Sequence, residues 1–331
     1  MMLFSGDTLK NGGYDNQKYR RAFGPGAPWN VPVKNVPEHK KSSMYAERFW
    51  NGASSRPGDV NLSFDWYTYP VYYTSDAKGS FYCKSKWKTN IDGKMILWNP
   101  EWRAAFGTDG QIILLDSVKG FEWDLWQVKF KDDTVFITNG NLIQSGQTAG
   151  DGSDPGNFWT KENGFIPSRG IGVQYLAMLV RPEEIEQGVI EHALSMPIRI
   201  TDGNFFMAPT TKLEHPGRPV GIPEGMRFAL RISDKEIEEW ITTFKGIVPE
   251  KAIAAAQIIA RALRDYGWFI TDTSGGCHLQ FEDMATAGAK WDALGLGKTE
   301  INGKLYPRDL LDGLFTKDRI YTLVPSDQYQ K

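Results

Sequence analysis

The sequence predicts a mainly β protein: an antiparallel β-sandwich with an irregular N-terminal arm and one C-terminal α-helix. Three observations predict it. Short runs of β-formers recur between turn signals, aromatics make up 13% of the residues, and a single long segment carries a helical period. The chain has 331 residues, 41% hydrophobic and 24% charged. That is a globular composition, long enough to bury a large core without disulfide or metal staples.

Residues 1–60 combine Gly, Pro, Asn and charge with little periodicity. Within them Pro25, Pro28 and Pro32 remove backbone donors and hold their neighbours extended. This stretch is expected to be an arm over a single body formed by residues 61–331, with a short helix near Met44–Trp50. Asn61–Tyr73, rich in aromatics and interrupted by Pro70, reads as an edge strand or two short strands. Lys94–Trp98, Gln111–Asp116, Glu122–Phe130 and Thr134–Thr138 follow as strands. Between them lie Thr108-Asp109-Gly110, Lys119-Gly120 and Asp132-Asp133, residues that favour turns.

Residues 145–170 read as a loop of a length that usually serves function. Arg181–Gly188 has Pro near its start, acids in its first turn and Gly at its stop, which predicts a helical turn. Val189–Ile200 and Met226–Ile232 are further strands. The one long helix is expected at Pro249–Tyr266, where Ala252, Ile253, Ala256, Ile259, Ala260 and Leu263 share a face and Gly267 ends it. Trp268–Thr271 is the strand it feeds, and Arg319–Val324 is the last extended segment. Residues from about 249 to 331 thus form a helix-plus-strand element of the body.

Thirty-eight Lys and Arg against 40 Asp and Glu leave a formal net charge of −2. That balance argues against general binding to nucleic acid or anionic membrane. No apolar run approaches the roughly 18–20 residues of a membrane span. Met1–Asp7 lacks the basic and apolar regions of a signal peptide, which fits a cytosolic or virion-associated protein, a mature form, or export to an extracellular setting by another route. Cys83 and Cys277 have no CxxC partners, and only four histidines exist. Two buried thiols are expected, with a single bridge as the alternative and no Cys/His zinc site.

The segment Phe121-Glu122-Trp123-Asp124-Leu125-Trp126-Gln127 stands apart. A strand sends alternate side chains to one face, so Glu122, Asp124 and Trp126 lie together. Two acids side by side on a sheet repel. In a cleft for a sugar polymer the same set has a use: carboxylates for proton transfer or attack, and an indole as a platform.

Glu122-x-Asp124-x-x-Gln127 resembles the Glu-x-Asp-x-x-Glu strand of the jelly-roll glycoside hydrolases, the retaining β-glucanase, carrageenase and cellobiohydrolase-type families. The resemblance implies a jelly-roll, concanavalin-like sandwich, with Glu122 as nucleophile and Asp124 as its partner. Gln127 departs from the pattern, because an amide neither donates a proton to a leaving group nor activates water. A second resemblance covers about half of the chain. Gly164–Gly170, Arg181–Ile185, Glu191–Leu194, Ile222–Phe228 and Ala262–Gly267 are similar to an uncharacterised bacterial family of exported, β-rich proteins. It implies an extracytoplasmic setting and assigns no chemistry.

The remaining candidates follow from residue type. His192 shares a face with Ile190, Leu194 and Met196, which fits a core histidine; as a site residue it would supply the leaving-group proton, with Glu191 as the other candidate. His278 alternates with Gln280 and Glu282, as on a surface strand or the border of a cleft. Tyr67 and Tyr69, with Arg169 and Gln174 as neutralisers of a uronate, would fit a polysaccharide lyase. Asp151-Gly152-Ser153-Asp154 reads as a polar turn or a weak Ca²⁺ site; otherwise no cofactor is expected. Gly170-Ile171-Gly172 is no nucleotide fingerprint, and no GxSxG, P-loop or HExxH motif occurs. The expected function is polysaccharide cleavage by a glycoside hydrolase in an aromatic-lined groove, with catalytic Glu122, Asp124 and His192. Trp126, Gln127, Tyr67, Tyr69 and Arg169 would bind the substrate. The alternatives are a non-catalytic glycan-binding or structural protein of a virion or cell surface, and a lyase.

Overall fold

A computed structural model describes residue 23 and residues 26–116, 118–143 and 168–329. The Asp151–Asp154 turn and most of the 145–170 loop lie outside the described residues. So do residues 1–22 of the expected arm and Gly164–Pro167 of the second resemblance.

In chain order the elements are α1 (Ser42–Gly52), β1 (Val60–Ser63), β2 (Val71–Tyr73), β3 (Gly79–Ser85), β4 (Met95–Trp98), β5 (Ile112–Asp116), β6 (Phe121–Trp126), β7 (Lys129–Lys131), β8 (Thr134–Ile137) and β9 (Asn139–Ile143). Then come α2 (Pro182–Gln187), β10 (Leu194–Ile198), β11 (Arg227–Leu230), α3 (Asp234–Ile241), α4 (Glu250–Asp265), β12 (Trp268–Thr273), β13 (Cys277–Gln280), α5 (Met284–Ala293), β14 (Thr299–Ile301), β15 (Lys304–Tyr306) and β16 (Ile320–Thr322). The protein is mainly β, as expected. Of the five α-helices among the described residues, α1, α2 and α4 coincide with the expected short helix, helical turn and long helix, while α3 and α5 were not expected.

The strands form three four-stranded sheets, β2-β5-β6-β9, β4-β3-β8-β7 and β10-β12-β11-β16, and the pairs β1-β13 and β14-β15. Pairing is mixed rather than purely antiparallel. β1 runs parallel to β13, β2 to β5, β3 to β8 and β10 to β12. Neighbours in sequence predict hairpins, whereas these parallel partners are joined through long intervening segments that local spacing does not report.

β5 shows how the layers assemble. Its five residues are all buried, and its side chains alternate between two cores. Ile112 and Leu114 pack with Leu125 of β6 and with Cys83, Ile96, Trp98, Val135 and Ile137 of the β4-β3-β8-β7 sheet. Ile113 and Leu115 face the other way, onto Ile171, Val173, Tyr175 and Leu176–Leu179. A strand buried on both faces reads as a continuous apolar run, and Ile112-Ile113-Leu114-Leu115 is one.

The third core gathers β10, β11, β12 and β16 with the helices. α4 contributes Ala252, Ala255, Ala256, Ile259, Ala260, Ala262 and Leu263. Small residues on this face let the helix lie close to the sheet. Phe49 of α1 packs on Phe228 and Trp268, with ring centroids 5.0 and 5.4 Å away, so the segment before residue 60 contributes to the core. α3 begins with a capping box in which Ser233 and Glu236 satisfy each other's backbone N–H groups. Among the described residues no helix is long and apolar enough to cross a membrane.

Candidate functional site

β6 occupies an inner position of its sheet. Register places Asp124 opposite Ile113 and Glu122 opposite Leu115 on β5, and opposite Asn141 and Ile143 on β9. Directly opposed residues share a face. Glu122 and Asp124 therefore do point to the same side, as period two requires, but it is the side that residues 171–179 cover.

Among the described residues no open groove lies above these acids. Both side chains are 0% exposed. The Leu176 N–H donates to Glu122 Oε1 at 2.9 Å, and the Tyr175 N–H donates to Asp124 Oδ2 at 3.1 Å. Glu122 Oε2 and Asp124 Oδ1 are buried and no N–H reaches them among the described residues, and the two acids lie close enough for each to act on the other's charge. Two carboxylates offer each other only acceptors, which favours one proton held between them. Burial pushes Glu122 up from the usual carboxylate range. Burial and the neighbouring Glu122 charge push Asp124 well above it. An acid pair without solvent access does not meet a polymer, so this geometry gives Glu122 no role as nucleophile and Asp124 none beside it.

Arg169, expected at a substrate, is 1% exposed. Its guanidinium donates to the carbonyls of Gln174, Tyr175 and Ala177 at 3.3, 2.6 and 3.0 Å, to Ser195 Oγ at 2.6 Å and to Gln280 Oε1 at 2.9 Å. It also lies 5.0 Å from the ring of Tyr69. Tyr69 is buried and stacked on Tyr175 with centroids 4.4 Å apart, and Gln174 is buried too. These groups pin the 169–179 segment onto the sheet and do not line a lyase cleft. His192 is likewise interior: Nδ1 contacts the Ala193 carbonyl at 2.8 Å, and Nε2 lies 3.0 Å from Glu184 Oε1.

Gln127 stands just past β6 with φ +55°. Its N–H donates to the Asp109 carbonyl at 2.8 Å and its Nε2 to the Thr108 carbonyl at 3.3 Å, which fixes the loop before β5. Trp126 is half-buried, 5.5 Å from the ring of exposed Trp87.

Of the expected site residues, Tyr67 opens onto a groove of about 610 Å³. Asp65, Trp66, Tyr67, His278, Lys298 and Arg308 are among its walls. Trp66 is 55% exposed, Tyr67 37% and Phe106 66%. Trp66 and Phe106 stack at 6.2 Å with ring planes 27° apart. Asp65 pairs with Lys298 across the rim. The floor comes from parallel β1 and β13, where Asn61 stands opposite His278. Burial holds the His278 imidazole down at about 4, so it is neutral near neutrality. His278 thus borders a cleft and is not on a plain surface strand.

No family model matches this chain, and neither does any curated protein or solved structure. Trp66 and Lys298 are among the groove residues that sequence reasoning missed, as is Phe106, which stacks on Trp66. Trp66 adjoins Tyr67 and carried a local signal, whereas Lys298 arrives from a distant segment and carried none. Cys83 and Cys277 are free and buried, as two separate thiols.

Proposed function

We propose that the protein recognises a carbohydrate polymer in the groove beside Trp66 and Tyr67, on a β-sandwich scaffold of the jelly-roll kind, at a virion or cell surface. The supporting observation is the exposed Trp66–Phe106 stack at the rim of a groove that also presents Asp65, Lys298 and Asn61. Apolar C–H faces of a sugar ring pack on indole and phenyl rings, while hydroxyls pair with carboxylate, ammonium and amide groups. A volume of about 610 Å³ is within the range of small-ligand sites and suits a few sugar rings of a longer chain. Large exposed aromatics grouped together mark contact surfaces more often than chance exposure.

The test is affinity electrophoresis of the protein in gels that contain neutral and acidic polysaccharides. At least one polymer should retard the wild type, and Trp66→Ala should weaken that binding by about tenfold, or about 1.4 kcal/mol. Trp66 is more than half exposed, so the variant should melt close to the wild type. The reading fails if no polymer retards the protein, or if Trp66→Ala binds as the wild type does.

A further inference from the structure

We infer that the outward face of the β4-β3-β8-β7 sheet is a platform for single-stranded nucleic acid. It shares no residue with the groove beside Trp66 and stands independently of the carbohydrate reading. Each strand of this sheet turns alternate residues inward, to the core that holds Cys83, Ile96, Trp98, Val135 and Ile137. The residues between them face out. β3 presents Ser80, Tyr82 and Lys84, and β4 presents Met95 and Leu97. β8 presents Thr134 and Phe136, and β7 presents Lys129 and Lys131. These strand positions hold rings and lysines and no carboxylate.

Register sets their order. Lys84 stands opposite Phe136 on β8, and Phe136 stands opposite Lys129 on β7. One row across three strands therefore reads Lys84, Phe136, Lys129, with neighbours about 5 Å apart. The adjoining row reads Met95, Tyr82, Thr134, Lys131. Tyr82 is 46% exposed and Phe136 37%. Lys86 extends β3 by one more outward position, its N–H donating to the Ile137 carbonyl at 2.9 Å. Lys131 lies 3.7 Å from Asp132 in the turn before β8. Among the described residues no carboxylate lies within ion-pair distance of Lys84, Lys86 or Lys129. Asp92, in the turn between β3 and β4, accepts the Ser85 N–H at 2.7 Å.

Charge complementarity decides the partner. Three ammonium groups without counter-charges attract an anionic polymer, and the rings between them ask for flat faces. A nucleic-acid strand repeats a base beside a phosphate, as these rows set a ring beside an ammonium. Bases stack on Tyr82 and Phe136 while phosphates pair with the lysines; every base has such a face, so sequence matters little. A duplex hides its base faces in its own stack, which makes a single strand the ligand. A lipid surface fits less well, because Lys84 and Lys129 flank Phe136 directly and would be drawn into the apolar layer with it. The formal net charge of −2 is a sum over the whole chain. Charges of one sign within about 10 Å of each other still act together on a ligand that touches them.

The experiment follows fluorescence anisotropy of a labelled thymidine strand about 20 nucleotides long as the full chain is added. Binding is expected, weakening about 20-fold between about 50 and about 200 mM salt as three phosphate contacts are screened. Tyr82→Ala and Phe136→Ala should each weaken it by about fivefold or more. Lys84→Gln and Lys129→Gln should each weaken it and flatten the salt slope by about 0.7, and they serve if the ring variants fail to fold. No binding by about 100 µM protein at the lower salt overturns the inference. A duplex bound as tightly as the strand, or folded ring variants within about twofold of wild type, overturns it too. Tighter binding of polygalacturonate or of phosphatidylserine vesicles, weakened by the same lysine variants, overturns it in favour of an acidic glycan or a lipid surface.

Discussion

Tyr175 and Asp124 are tied by a backbone hydrogen bond of 3.1 Å between the Tyr175 N–H and Asp124 Oδ2. Together with the Leu176–Glu122 bond, it makes the acid pair of β6 an anchor for the segment that crosses it. The carboxyls do for residues 175–176 what a neighbouring strand would do, accepting N–H groups that burial would otherwise orphan.

From this follows a pH prediction. The Asp124 carboxyl is held well above its ordinary value by burial and by Glu122. The folded protein therefore keeps a proton that the unfolded chain releases. That contribution is fully present below the ordinary carboxylate range and is lost as pH rises through the folded value. Asp124→Asn donates to Glu122 through its amide and has no such proton to lose. Its melting temperature relative to wild type should rise as pH climbs from the ordinary carboxylate range towards and past neutrality. A difference that stays constant across that range would remove the shared-proton account.

Arg169 gives a stability prediction. It is buried, donates to five acceptors, and is the cation whose field reaches Glu122 and Asp124. Arg169→Met leaves those acceptors short of donors and the acids short of a counter-charge. The expected loss is about 3–5 kcal/mol in urea unfolding, as when one partner of a buried ion pair is removed. A loss below about 1 kcal/mol would mean that water replaces the guanidinium there.

Much of the fold was legible. α4 matches the segment from Pro249 to Tyr266, and the Asn61–Tyr73 stretch divides at Pro70 into β1 and β2. The capping box of Ser233 and Glu236 is also written locally, although its helix was not anticipated. At the site, period two put Glu122 and Asp124 on one face, but nothing local says what covers that face. Two acids read as solvent-facing on polarity alone; here backbone donors from residues 175–176 land on them. The parallel pairings are equally non-local.

The thiols give a third prediction. Burial pushes Cys83 up to about 12 and Cys277 well above its ordinary value, and neither is bridged. Thiolate is the reactive form. Ellman's reagent should find essentially no thiol in the folded protein, and both in denaturant without reductant. One or two fast-reacting thiols under native conditions would contradict the packing of β3 or β13.

Gly267 carries the last. It links α4 to β12 with φ +69°, the left-handed region that ends helices, and a Cβ there would lie 1.9 Å from the Phe228 carbonyl oxygen. The close approach has a purpose. The Gly267 carbonyl accepts the Leu194 N–H at 2.9 Å, and the next residue pairs with Phe228 and Leu194. β12 thus enters between β10 and β11 through a point where side-chain atoms have no room. Gly267→Ala therefore combines backbone strain with a steric clash against main chain, which a rotamer change does not relieve. The expected cost exceeds about 3 kcal/mol. It should appear as a large fall in urea midpoint with little change in slope, since the surface exposed on unfolding stays the same. A loss under about 1 kcal/mol would show that the turn shifts freely, and with it the entry of β12.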